Sequence, residues 1–136
     1  MKRPPATVVV FLLALGLYAA TTHRRVFIAG NDASRWAAIE SLVDYGTASI
    51  ERSRFAANVD RIRIGEREYS NKPPVLSLAG AAIYAVLQTT FGWSLAGAGA
   101  ANVLYWVTLL LVGVPSAWLV ARFFAELSRF PELDGR

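Results

Sequence analysis

Three side chains in this sequence have the types and spacing to do chemistry together: Asp32, Arg35 and Lys72. Asp32 and Arg35 stand three residues apart in Asn31-Asp32-Ala33-Ser34-Arg35, so on a helical turn they share a face. A carboxylate so placed can act as general base, taking the proton from a hydroxyl or amine as it attacks an electrophilic carbon. Arg35 can hold phosphate oxygens by charge-assisted, bidentate hydrogen bonds. The same residues also fit a plainer reading, with Asn31 or Asp32 as a helix N-cap and Arg35 reaching along its stem to headgroups.

Lys72 lies in Tyr69-Ser70-Asn71-Lys72-Pro73-Pro74, where two kinds of sequence meet. Residues 23–71 are dense in arginine and carboxylate, whereas residues 73–121 contain no Asp, Glu, Lys or Arg. Proline is favoured in the first turn of a helix. A lysine just before such a turn is placed to meet a phosphate where hydrocarbon gives way to headgroups, with Tyr69 beside it. A hydrogen bond to a charged group contributes about 1.5–3 kcal/mol net. Snorkelling at a helix start would account for the same lysine.

The elements that must position these groups follow from hydropathy. The chain has 136 residues, 54% of them hydrophobic, and a mean hydropathy of +0.37. A transmembrane helix needs about 20 mostly apolar residues. The charge-free block holds two, at about 74–92 and 101–123, broken at Trp93-Ser94 and the glycines after it. Trp93 and Trp106 suit an interface. A first apolar run at about 6–22 comes after Lys2-Arg3, which is also the layout of a secretory signal. Cleaved signal or uncleaved span, either would export the segment after Thr22. The later hydrophobic block favours the span, giving three crossings. The positive-inside count opposes this, because Arg24, Arg25, Arg35, Arg61, Arg63, Arg67 and Lys72 would favour a cytoplasmic loop.

The expected architecture is thus an all-α membrane protein of about three transmembrane helices, with an exported loop at 23–73. Within that loop Trp36, Ile39, Leu42 and Val43 recur at helical spacing, which predicts an amphipathic helix lying in the membrane interface and ending near Gly46. Val59, Ile62 and Ile64, then Gly65-Glu66 and Tyr69, predict a short hairpin.

Composition excludes several chemistries. With no cysteine there is no disulfide, thiolate nucleophile or sulfur-bound zinc. The single histidine, His23, has no second imidazole to join it and reads as an interfacial residue. The net charge of +4 comes from basic residues interleaved with acids beside apolar helices, which favours anionic lipid or a phosphorylated substrate over nucleic acid. Asp44 and Asp60 have no spacing that defines a metal site. Gly97-Ala98-Gly99 lacks the strand and helix of a nucleotide loop. Asn102 and Pro115 read as packing and kink features of the last span.

Taken in order, Asp-x-x-Arg after the first span, a helix, then Gly-x-x-x-Tyr-Ser-x-Lys-Pro-Pro entering the second span resembles polytopic glycosyltransferases of the GT-C type. The likeness is to the branch of protein O-mannosyltransferases and lipid A aminoarabinose transferases (glycosyltransferase family 39-like). It is carried by Asp32, Arg35, Trp36, Gly46, Gly65, Tyr69, Lys72, Pro73 and Pro74. The resemblance implies inverting transfer of a sugar from a polyprenyl-phosphate donor to an acceptor at the outer face of the plasma (inner) membrane. By that likeness Asp32 is the catalytic base, and Arg35, Tyr69 and Lys72 bind the donor phosphate. It names no cofactor, leaves a divalent metal open, and counts membrane lipids but no nucleic acid among the partners. Some relatives carry glutamate where this chain has Asn71, which removes one expected acidic contact.

Such transferases have more spans than three, so the chain reads as the front part of one. Two other classes stay open: a small multi-pass interaction or assembly subunit without catalytic activity, and an inactive truncated remnant.

Overall fold

The computed structural model describes residues 4–25, 30–57 and 59–130. In chain order the elements are α1 (Ala6–Thr21), α2 (Gly30–Asp44), β1 (Arg61–Ile64), β2 (Arg67–Ser70), α3 (Pro74–Phe91), α4 (Ala100–Thr108), a π-helical turn (Leu109–Gly113) and α5 (Val114–Leu127). The fold is therefore mostly helical, with one small antiparallel sheet. Two compact units divide it, residues 23–107 and residues 4–22 with 108–130.

Within residues 23–107, α2 is the organising element. Its Trp36 and Ile39 join Tyr84, Leu87, Leu95, Val103, Leu104 and Val107 in one apolar cluster. Its Ala33, Ala37 and Ala38 join Ile50 and Val59 in another. The expected helix is present, but it does not present a single apolar side: Ala33, Ser34 and every residue from Trp36 to Ser41 are buried. The small side chains explain the difference. Alanine and serine let neighbouring backbone approach α2 from a side that the larger residues leave free, so both sides become core. Gly80 of α3 extends the same logic, since a Cβ there would stand 2.6 Å from Ile39 Cδ1.

Polar pairs tie α2 into this core. Glu40 is fully buried and accepts hydrogen bonds from Ser53 Oγ (2.6 Å), the Arg54 amide (2.9 Å) and Arg54 Nε (2.9 Å). Arg54 Nη1 also donates to the Leu95 carbonyl. Near the helix end, Asp44 accepts from Tyr84 Oη (2.8 Å) and Gln88 Nε2 (2.8 Å), while Tyr84 Oη accepts from the Leu95 amide. Asp44 thus fastens α2 to α3. The helix ends as expected before Gly46, whose φ of 64° is left-handed, with the Tyr45 and Thr47 amides both returning to the Ser41 carbonyl.

The expected hairpin is β1–β2, with Ile62 opposite Tyr69 and Ile64 opposite Arg67. Gly65 adopts φ 62°, which lets a two-residue loop match the twist of the strands. Behind β2, Ile50 donates its amide to the Glu68 carbonyl and Glu51 accepts from the Glu68 amide (2.6 Å). The Ser49 hydroxyl, and then the Glu68 amide, hold the Glu51 carboxyl below its ordinary value.

Two helices, Pro74–Phe91 and Ala100–Leu127, are long and apolar enough to cross a membrane. At 16 residues, α1 measures about 24 Å, short of a hydrocarbon core of about 30 Å. Two of the three expected spans therefore meet the length required. Both long helices carry large apolar side chains on their outside, including Val75, Leu78, Trp118 and Phe123. The expected kink at Pro115 takes the form of the π turn before it. Proline has no N–H to donate and crowds the carbonyl four residues back, so the helix widens and Val114 donates to Leu109 instead. In residues 4–22 with 108–130, α1 packs along α5, and Gly113 leaves room for Tyr18, whose Cβ would lie 3.3 Å from an added methyl.

Candidate functional site

The site is built where the first turns of α2, the end of β2 and the start of α3 converge. Asn31 and Asp32 lie inside the first turn of α2, which begins at Gly30, so neither is its N-cap. A carboxylate in that turn is stabilised by the exposed amides of the helix start. Even so, burial raises the Asp32 carboxyl above its ordinary value, while His23, Arg35 and a hydrogen bond from Trp36 pull it part of the way back. The Asp32–Arg35 pairing expected from spacing is therefore an electrostatic interaction within one turn. Arg35 forms no ion pair within 4.0 Å among the described residues, and its buried Nε has no hydrogen-bond partner there.

Lys72 is held from two directions. Its Nζ donates to Asp60 Oδ2 at 2.9 Å, with the lysine side chain only 15% exposed and the aspartate 52%. Its amide donates to Ser70 Oγ (3.2 Å), which shares a 2.7 Å hydrogen bond with Ser34 Oγ. Ser34 Oγ also donates to the Asp60 carbonyl at 2.7 Å. A hydroxyl has one proton to give, so the direction is fixed: Ser70 donates to Ser34, and Ser34 to Asp60. The result is a closed ring, Lys72–Ser70–Ser34–Asp60, that joins α2 to the hexapeptide. Gly30 completes it, since a Cβ there would lie 3.4 Å from the Asp60 carboxylate.

Beside the ring is an open groove of about 560 Å³ lined by Leu42, Ile62, Tyr69, Lys72, Pro73 and Leu78, among others. Its wall is overwhelmingly apolar. Ser77 also lines it, 3% exposed, with a hydroxyl that has no hydrogen-bond partner among the described residues. The pocket is a suitable bed for an aliphatic chain, with the Lys72 ammonium beside it.

Of the residues expected from sequence, the structure brings Tyr69 and Lys72 together in this groove. Asp32 and Arg35 do not line it; they share the first turns of α2 with Ser34, which contacts the ring. Sequence reasoning gave Asp60 no role, and it passed over Ser34 and Ser70. The only local signal was that Ser34 lies inside the Asp-x-x-Arg segment and Ser70 inside the hexapeptide. Among the described residues no cluster of three or more His, Asp or Glu could hold a metal ion. No protein-family model, curated protein or solved structure matches this chain.

Proposed function

We propose that this chain supplies the donor-phosphate side of a membrane glycosyltransferase site, which transfers a sugar from a polyprenyl-phosphate donor to an acceptor at the outer face of the plasma membrane. In this reading the chain is multi-pass, with α1 as a further span beside the two longer helices. The observation that carries it is the Lys72 ammonium, largely buried, at the edge of an apolar groove that ends on the first turn of a charge-free helix.

The chemistry is set by where charge develops. The acceptor oxygen or nitrogen attacks the anomeric carbon and its proton passes to the Asp32 carboxylate. The bond from that carbon to the phosphate oxygen breaks, and the electron pair leaves on the lipid phosphate. Fixed cations stabilise that growing charge; in this reading Lys72 takes that role at the groove, Arg35 joins it from the first turns of α2, and the Tyr69 ring packs against the lipid. A carboxyl raised by burial is a stronger base than an ordinary one, which suits Asp32. As the phosphate arrives, it takes the place of Asp60 on Lys72.

A non-catalytic assembly subunit is the second reading. It draws on the Asp60–Lys72 pair itself, because the lysine charge is already balanced. The two readings separate in liposomes containing the protein, a labelled polyprenyl-phosphate sugar and candidate acceptors. Transfer that is lost in both Asp32→Asn and Lys72→Ala supports the enzyme. Equal turnover in those variants and the parent would sink the site assignment.

A further inference from the structure

The hairpin has an apolar side that is left partly open at Ile62 and largely open at Ile64. Cross-strand partners share a face of a sheet, so Ile62, Ile64, Arg67 and Tyr69 lie on one side, and Arg61, Arg63, Glu68 and Ser70 on the other. Ile62 is 46% exposed and Ile64 63%. On the opposite side, Arg61 is engaged with Glu68 at 2.7 Å. Two large aliphatic side chains held in water on a four-residue strand, with arginines flanking them, call for an occupant.

Continuity identifies that occupant. Ile62 and Tyr69 line the same groove as Pro73, Pro74 and Leu78, so the apolar side of the hairpin runs into the first turn of α3. That helix is long and apolar enough to span a membrane, and its Val75 and Leu78 are exposed. Only Asn71, Lys72 and Pro73 separate β2 from α3, a link of at most about 14 Å. The hairpin is thus confined to the zone in which a bilayer's headgroups lie next to such a helix. Arginine at the tip suits that zone, because guanidinium binds phosphate oxygens in a fork while its stem lies on apolar surface.

We infer that the Ile62–Ile64 face of the hairpin docks into the phospholipid headgroup layer, with Arg67 of the same face on a lipid phosphate. Burying the apolar surface that Ile62 and Ile64 still expose favours that docked position. The inference rests on α3 crossing a membrane and not on glycosyl transfer.

The native chain has no cysteine, so single-cysteine variants can be read without background. Ile62→Cys, Ile64→Cys, Arg63→Cys and Glu66→Cys all fall at exposed positions, so none disturbs the core. Each is reconstituted in phosphatidylcholine–phosphatidylglycerol liposomes and treated with a membrane-impermeant maleimide. A parallel sample carries an environment-sensitive fluorophore, challenged with lipids bearing a quencher just below the headgroup. The expected result is alkylation about tenfold slower at positions 62 and 64 than at 63 and 66, the factor matching about 1.4 kcal/mol of burial, with lipid quenching confined to 62 and 64. Equal fast alkylation at all four positions overturns the inference. So does protection at 62 and 64 without lipid quenching, which would mean protein covers the face. Donor-phosphate binding, measured separately on the same liposomes, tests the transferase reading independently of either outcome.

Discussion

Lys72 and Asp60 are joined by two routes at once, directly through Nζ and Oδ2 at 2.9 Å and indirectly through the hydroxyls of Ser70 and Ser34. The direct route occupies the lysine charge; the indirect route fixes the backbone that carries it. An anion that binds Lys72 must therefore compete with Asp60 for the ammonium while the serine relay keeps the ammonium near the groove.

That competition gives opposite signs for two substitutions. Lys72→Ala should weaken binding of a polyprenyl phosphate by about tenfold or more, the loss of one hydrogen bond to a charged group. Asp60→Asn removes the competing charge and should tighten the same binding. Titration of each variant in detergent with a fluorescent polyprenyl phosphate checks both. Weaker binding in Asp60→Asn would show that the carboxylate organises the lysine for its ligand instead of masking it.

Asp32 makes a prediction about pH. Its folded value is raised, chiefly by burial, so the folded state holds a proton that the unfolded chain has already released. The stabilisation this gives is present at low pH, and is lost as pH rises through the raised value. Asp32→Asn should flatten that part of the stability curve and leave the protein at least as stable as the parent at neutral pH, while abolishing transfer. Thermal unfolding in detergent across the acid range, set beside the transfer assay, separates the two effects.

Glu40 should be the costliest acidic residue to remove. It is fully buried and accepts three hydrogen bonds from Ser53 and Arg54. Glu40→Ala leaves the Ser53 hydroxyl and the Arg54 amide unpaired, at a cost of about 1–3 kcal/mol for each buried donor so left. Arg54→Ala should cost less, because the Arg54 side chain is 42% exposed and Glu40 retains two donors. Urea or thermal denaturation of the two variants gives the order directly.

Gly80 permits α2 and α3 to pack closely, since a methyl there would meet Ile39 Cδ1 at 2.6 Å and Cγ1 at 3.2 Å. Gly80→Ala should cost about 1–3 kcal/mol by overpacking. Ile39→Val removes the nearer atom, so the double variant should recover part of that loss. Simple additivity of the two stability changes would place the strain elsewhere.

A reporter fused after Phe55 tests the side of the membrane on which α2 and the hairpin lie. Alkaline phosphatase should be active there and a cytoplasmic reporter silent. The reverse pattern would uphold the arginine count against the exported reading.

The extents of the helices were legible in the sequence because hydropathy and helix stops are local. The apolar stretch after Pro73, the stop at Gly46 and the two-residue loop at Gly65 each depend on a few adjacent residues, and each appears where the pattern places it. The environment of α2 was less legible. A wheel of Trp36, Ile39, Leu42 and Val43 describes one apolar face, yet Ala33, Ala37 and Ala38 make a second. Small side chains carry little hydropathy, and their packing depends on what approaches them.

The sequence by itself determined that this chain places a lysine at the edge of a charge-free helix, with an acid and an arginine one turn apart upstream. Only the tertiary structure decided what those groups meet. Ser34 contacts residues 26 and 36 positions away, and Asp60 reaches Lys72 across the whole hairpin. Such contacts arise from chain closure and helix packing, for which no local pattern codes. The identities of Asp32, Arg35 and Lys72 were therefore readable in advance, whereas the partner of Lys72 and the serine relay that holds it were set by the fold.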